Sequence, residues 1–218
     1  MSTLILPICG ESTRYPNMPP KWSIMMDGQT MLGRSIAGLP LESFDQITVI
    51  MLRKHLEYKP LYNIPYNVIY LKQQTSSQVE TVYKGLIYNG TTGPIVIKDC
   101  DNYFVTKPVE GNFVAYSTLS GDIHNAENKS YIEINEHGII TNIIEKRVIS
   151  PTFCCGMYGF QDAEQFVGLY KNNRSFKYIS DVIFYMILHG IIFYAVEGTD
   201  YVDWGTLEDF KRFQEELK

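Results

Sequence analysis

No apolar run in this 218-residue sequence is long enough to span a bilayer: the most apolar stretch, residues 182–196, is broken by His189 and Gly190. The N-terminus lacks a charged segment followed by an extended apolar core, so no signal peptide is expected. The chain reads as soluble and cytoplasmic, without a membrane partner. Positive charge is also scarce. Against 24 Asp and Glu stand 19 Lys and Arg, a net charge of −5. That balance offers no electrostatic footprint for nucleic acid, so a phosphorylated ligand has to be held by a few placed cations. Four cysteines, Cys9, Cys100, Cys154 and Cys155, form no Cys-x-x-Cys pair. On a strand, 154 and 155 face opposite ways, so reduced thiols are expected rather than a disulfide framework. His55, His124, His137 and His189 lack metal-ligand spacing and read as structural. With no repeat, low-complexity tract or linker, residues 1–218 read as one domain.

What is present suits a packed core: 45% of residues are hydrophobic and 20% charged. In the first half, apolar strand patterns at 4–8, 46–51, 66–71 and 94–98 alternate with helical patterns at 31–37 and 77–88. Such alternation predicts βαβ units. The second half reads as strands at 112–117, 130–135, 139–146, 153–160 and 191–197, with Glu136-His137-Gly138 as a hairpin turn. Helices are expected at 162–170, 179–188 and 206–217. The fold class is therefore α/β, a Rossmann-like mixed, mostly parallel sheet flanked by helices, with the late strands forming an acceptor-facing lobe.

Four segments could carry chemistry. Gly10-Glu11-Ser12-Thr13-Arg14 follows the first strand and leads to Pro20-Lys21. A loop at the carboxyl end of a first strand is where open α/β sheets bind ligands, with backbone N–H groups around phosphate and Arg14 and Lys21 as cations; a surface turn with two solvated cations is the alternative. Asp99-Cys100-Asp101 follows the strand at 94–98, and carboxylates at i and i+2 suit a hard, oxygen-liganded cation such as Mg²⁺, or else a turn closed by Asp side chains. In Asp203-Trp204-Gly205-Thr206, helix capping accounts for Thr206, Glu208 and Asp209 but not for Asp203, which reads as a second metal carboxylate or an ordinary loop Asp. Glu145-Lys146 ends a strand, and Gly156 lies in the next; an exposed ion pair is the plain alternative.

In this order the segments resemble the sugar-phosphate nucleotidylyltransferase superfamily over nearly the whole chain, from Leu4-Ile5-Leu6-Pro7 to Asp203–Phe210. That family opens on a strand, then Gly-x-Gly-Ser/Thr-Arg and a later Pro-Lys. Here these are Gly10–Arg14 and Pro20-Lys21, followed by Asp27-Gly28-Gln29-Thr30-Met31-Leu32, similar to its second signature. The resemblance implies the nucleotide-diphospho-sugar transferase type of fold and a Mg²⁺-dependent nucleotidylyltransferase. It implies that Gly10, Glu11, Ser12 and Thr13 bind nucleotide, that Arg14 steadies the triphosphate and departing pyrophosphate, and that Lys21 contacts the α-phosphate and the attacking phosphate. Asp101 and Asp203, with Asp99 as a lesser candidate, would hold Mg²⁺. Gln74, Ser77 and Gln78 would face the nucleobase. Lys146 would bind the acceptor phosphate, and Glu145 and Gly156 would line the acceptor pocket. Two positions depart from the family: Ser12 replaces its second glycine, and residues 74–78 lack the glycine usual near the base.

The short chain is similar to small cytidylyltransferases acting on phosphocholine or on capsule and surface-polysaccharide precursors. With the Asn/Gln-rich base segment, this motivates CTP as the donor. The implied partners are a nucleoside triphosphate and a small phosphorylated acceptor; oligomeric state stays open, a homodimer included. Two other readings stand: a glycosyltransferase using Asp99-Cys100-Asp101 as an Asp-x-Asp metal motif, and a non-catalytic nucleotide-binding module, motivated by Ser12.

Overall fold

A computed structural model describes residues 2–119 and 126–216, so His124 lies outside the described residues. Among the described residues, thirteen strands and five α-helices follow one another. The first half holds β1 (Thr3–Pro7), β2 (Met25–Met26), β3 (Gln29–Thr30), α1 (Met31–Ile36), β4 (Gln46–Leu52), β5 (Asn67–Leu71), α2 (Gln78–Asn89), β6 (Ile95–Lys98) and β7 (Asn102–Val105). The second holds β8 (Phe113–Thr118), β9 (Ser130–Ile134), β10 (Ile140–Glu145), β11 (Thr152–Phe160), α3 (Ala163–Asn172), α4 (Ile179–Leu188), β12 (Tyr194–Glu197), β13 (Thr199–Asp203) and α5 (Leu207–Glu216).

Nine strands form one mixed sheet in the order β10-β9-β11-β6-β1-β4-β5, with β8 beside β11 and β12 beside β8. The strands β6, β1, β4 and β5 run parallel, so the loops after β1 and β6 leave the same edge. The nine-residue β11 turns the sheet antiparallel. One of its edges pairs with β6 and, further along, with β9; the other pairs with β8. The late strands thus extend the same sheet.

Alternating side chains cover both faces of the sheet. Ile5, Ile50 and Ile97 pack with Val82 of α2, Phe166 of α3 and Ile183 of α4, while Leu4, Leu6, Val49 and Val96 pack with Leu32 and Ile36 of α1. Cys154 and Cys155 fall into these two separate clusters, and all four cysteines are free.

Local signals explain the helix ends nearest the site. Ser77 caps α2 by accepting from Glu80 N at 3.1 Å, and the Glu80 carboxylate accepts from Ser76 N at 2.6 Å. Gly90 closes the helix at φ +63°.

Two small sheets lie outside the strand patterns seen in the sequence. The hairpin β2–β3 turns on Asp27 (φ +47°) and Gly28 (φ +78°), positive at both central positions as a type I′ turn requires. The other joins β7 antiparallel to β13, so that Asp203 sits opposite Asn102.

Candidate functional site

The first loop is held by its own residues. Ser12, where the resembling family has glycine, adopts the left-handed conformation at φ +54°, so its backbone takes a glycine-like course. Its hydroxyl accepts from Lys21 N at 2.9 Å and its carbonyl from Tyr15 N at 2.7 Å, folding the loop back on itself. Ser12→Ala is expected to cost about 1 kcal/mol in denaturant unfolding because that hydrogen bond is lost. Ser12→Gly should stay within about 0.5 kcal/mol of wild type, since relief of the backbone offsets the loss.

Lys21, 8% exposed, donates from Nζ to Asp101 Oδ2 at 2.6 Å. Burial alone would push its pKa down, but the adjacent Asp101 carboxylate reverses the sign and holds it above the ordinary lysine value. Asp101 responds in kind: burial would raise its pKa, yet the Lys21 ion pair holds it well below the usual carboxylate range. Arg14 Nη2 is 3.8 Å from the same Asp101 oxygen, with a half-exposed side chain.

Asp203 arrives through the β7–β13 pairing. Trp204 N donates to Asp101 O at 2.8 Å, which ties the end of β13 to the turn after β6. Asp203 Oδ1 accepts from Gly205 N at 2.8 Å, and Oδ2 pairs with Lys129 Nζ. The buried Tyr15 completes the junction, its hydroxyl 2.6 Å from Trp204 O and 3.0 Å from Thr206 O. The loop at 10–21, the turn at 99–101 and the segment at 203–206 therefore meet.

Asp99 occupies a different environment from Asp101. Its carboxylate accepts from Gln78 Nε2, and its backbone N donates to Gly156 O at 2.8 Å. Burial, together with the negative charge of Asp101, pushes its pKa up to about 7. Gly156 sits at φ +81° within a register shift of β11, and a β-carbon there would lie 2.5 Å from Asp99 Oδ2. The glycine lets the strand pass directly under the turn. Beneath the same turn, the fully buried Lys98 donates to Asp99 O and Asn102 Oδ1, each at 2.7 Å. Burial pushes its pKa down to about 8.

Two cavities share this wall. One, of about 440 Å³, is bordered by residues of the first loop, including Gly10, Glu11 and Thr13, by Lys21 and by residues 74–78. Within it Gln74 is exposed, whereas the Ser77 and Gln78 side chains have the internal partners named above. The second, of about 160 Å³, is bordered by Lys129, Glu145, Gly156, Tyr178 and Asp203 among others. Arg14, Gln78, Asp99 and Asp101 border both. Glu145 Oε2 accepts from the hydroxyls of Ser130 and Ser180. Lys146 is exposed and lies beside the second cavity without bordering it, its Nζ donating at 2.8 Å to Oη of Tyr178, which does.

Sequence reasoning missed Tyr15, Lys98 and Lys129. Tyr15 and Lys98 adjoin motif residues, but nothing in their spacing marks a role. Lys129 lies in no motif.

No group of three or more His, Cys, Asp or Glu among the described residues forms a metal cage by itself. Asp101 and Asp203 offer hard carboxylate oxygens from adjoining backbone segments. A Mg²⁺ ion, which keeps waters and takes substrate phosphates as its remaining ligands, fits that donor set.

No protein-family model matches the sequence, and no curated protein does. Solved structures match over the whole fold. A nucleoside-diphosphate-sugar pyrophosphorylase from Vibrio cholerae superposes with a TM-score of 0.77 at 18% identity, covering 97% of this chain and 99% of its own. The inositol-1-phosphate CTP transferase from T. maritima superposes at 0.74 and 13% identity, covering 99% and 94%. An apo UDP-glucose pyrophosphorylase reaches 0.75 at 14% identity, with 100% of both chains covered. At these identities the likeness is one of fold, and the fold is the Rossmann-like one of the nucleotide-diphospho-sugar pyrophosphorylases. The resemblance read from the motifs implies the same fold. No helix among the described residues is long and apolar enough to cross a membrane.

Proposed function

We propose that this protein is a Mg²⁺-dependent nucleotidylyltransferase that moves a nucleoside monophosphate from a triphosphate, CTP favoured, to a small phosphorylated acceptor. The observation that carries this reading is the shared wall: Asp101, bonded to Lys21, borders both cavities. The larger cavity takes the triphosphate among Gly10, Glu11, Ser12 and Thr13, with the base toward Gln74, Ser77 and Gln78. The smaller takes the acceptor against Glu145 and Gly156, with Lys146 beside it.

An acceptor phosphate oxygen attacks the α-phosphorus in line. A new P–O bond forms, the α–β phosphoanhydride bond breaks, and its electron pair leaves with pyrophosphate. The acceptor phosphate is already ionised, so no protein base is required. Two anions must approach, and Arg14 and Lys21 offset their repulsion while the cavity walls fix the alignment. Asp101 and Asp203 would hold Mg²⁺, which neutralises triphosphate charge when bound.

The chemistry of the smaller cavity favours a hydroxyl-bearing sugar phosphate over phosphocholine. Its aromatic residues among the described ones are Tyr158, Tyr178 and Tyr201. Lysine ammonium groups already bond the hydroxyls of two of these rings, Lys146 to Tyr178 and Lys129 to Tyr201, each at 2.8 Å. A quaternary ammonium brought to these rings would meet those like charges. The Asp-x-Asp glycosyltransferase reading is disfavoured because glycosyl transfer does not require Arg14 and Lys21 in the first loop, and because Asp99 Oδ1 is taken up by Gln78.

The test is a screen of four triphosphates against sugar phosphates, inositol phosphate and phosphocholine, reading pyrophosphate with Mg²⁺ and with chelator. CTP with a sugar phosphate should react fastest, and chelation should silence it. Faster release from another triphosphate overturns the cytidylyl preference, and no release from any pair overturns the proposed activity.

A further inference from the structure

The smaller cavity is bordered by five carboxylates, those of Asp99, Asp101, Glu145, Asp203 and Asp209. A phosphate dianion entering it needs a cation inside. Among the described residues, the cationic side chains bordering it are those of Arg14 and Lys129. The Arg14 side chain is 55% exposed and also borders the larger cavity, where the triphosphate is placed.

Lys129 is the reverse case: its side chain is 7% exposed. Its ammonium donates to Asp203 Oδ2 and to Tyr201 Oη at 2.8 Å. The rings of Phe153 and Tyr201 lie 5.3 Å and 4.8 Å away. Its backbone is fixed as well, since Lys129 O accepts from Lys146 N at 2.9 Å beside the first residues of β9. An ammonium has three donors, so two named partners leave one for a ligand. Burying a lysine is costly where an apolar chain of similar volume would pack equally well, so the placement calls for a charge-dependent purpose. Lys146, by contrast, is exposed and bonded to Tyr178 beside the cavity.

We propose that Lys129 is the residue that receives the acceptor's phosphate, inside the smaller cavity and beside Asp203, while Lys146 stays outside it. This rests on the nucleotidylyltransferase reading, from which the acceptor's phosphate follows. Lys129 would act on acceptor affinity more than on triphosphate affinity, because it does not border the larger cavity and reaches the triphosphate only through Asp203.

The experiment compares Lys129→Met, Lys129→Arg and Lys146→Gln with wild type. It uses the triphosphate and acceptor found by the screen, and also titrates inorganic phosphate into the nucleotide-free protein by calorimetry. Lys129→Met should raise the acceptor KM by about 10- to 100-fold, as expected for losing a hydrogen bond to a charged group, and raise the triphosphate KM by a clearly smaller factor, through Asp203 alone. Lys129→Arg should recover part of the acceptor affinity, and Lys146→Gln should move it less than Lys129→Met does. Inorganic phosphate should bind wild type and lose most of its affinity in Lys129→Met. An unchanged acceptor KM, an equal rise in both KM values, or phosphate binding indifferent to Lys129 overturns the proposal. If Lys129→Met does not fold, Lys129→Arg decides: a change confined to the acceptor KM supports it and no change overturns it. If no pair releases pyrophosphate, the activity reading fails, and the phosphate titration still decides whether Lys129 holds phosphate.

Discussion

Asp101→Asn is expected to cut pyrophosphate release by at least about 10³-fold, the scale lost when a charge-stabilising group leaves a preorganised site. The side chain keeps its shape, so the turn after β6 should persist, held by Lys98 below and by Trp204 N on Asp101 O. What is lost is the negative charge that pairs with Lys21 and that a metal ion would use. Lys21 is nearly buried, so removing its counter-charge should also cost about 1–3 kcal/mol in unfolding at neutral pH. The sign with pH is fixed by the depressed pKa of Asp101. The pairing stabilises the fold above the unfolded carboxylate value, near about 4, and is lost as pH falls through the lower folded value. Wild type and variant should therefore converge in stability toward strong acid. Steady-state pyrophosphate assays and denaturant titrations at several pH values check both halves. Turnover within tenfold of wild type would remove Asp101 from the mechanism. A non-catalytic module would show no turnover to lose.

Gly156→Ala is expected to be the most damaging substitution of a single methyl group at this site. Its β-carbon would lie 2.5 Å from Asp99 Oδ2 and 2.8 Å from Asn102 Nδ2, at a backbone φ of +81° that L side chains rarely adopt. Strain and overlap together should cost about 2–4 kcal/mol. At about 2–4 °C per kcal/mol for a chain of this length, thermal unfolding should drop by roughly 5–15 °C. The collision falls on the turn that carries Asp99 and Asp101, so activity should fall in the surviving folded fraction too. A thermal midpoint within about 2 °C of wild type would mean that β11 gives way more readily than its pairing with β6 implies.

The parallel half of the fold and the helices over it were legible because their signals are local. Strands β1, β4 and β6 are short apolar runs, and α2 carries its Ser77 cap, the Glu80 that answers it and the Gly90 that ends it. The β7–β13 pairing was not. It joins Asn102 to Asp203 across half the chain, and its strands interleave apolar residues with the charged and polar groups of the site. Asp27-Gly28 does carry a hairpin signal in its residue types, overshadowed by the signature it belongs to.

The same division holds at the site. Arg14, Lys21, Asp101 and Asp203 stand in motifs, and the structure brings them together. Lys129 stands alone before β9, and only the folded position of Asp203 gives it meaning. The position of Ser12, which motivated a non-catalytic reading, keeps the glycine-like backbone that the loop needs.

The Tyr15 hydroxyl reaches carbonyls 189 and 191 positions further along the chain. The latch on the first loop is thus among the most distant contacts the chain can make, and closing so large a loop is entropically slow. During synthesis the opening strand emerges early, yet the Tyr15 hydroxyl in the loop after it has neither carbonyl to fasten to until residues 204–206 have been made. Assembly of the proposed site in this sense waits on late-made residues.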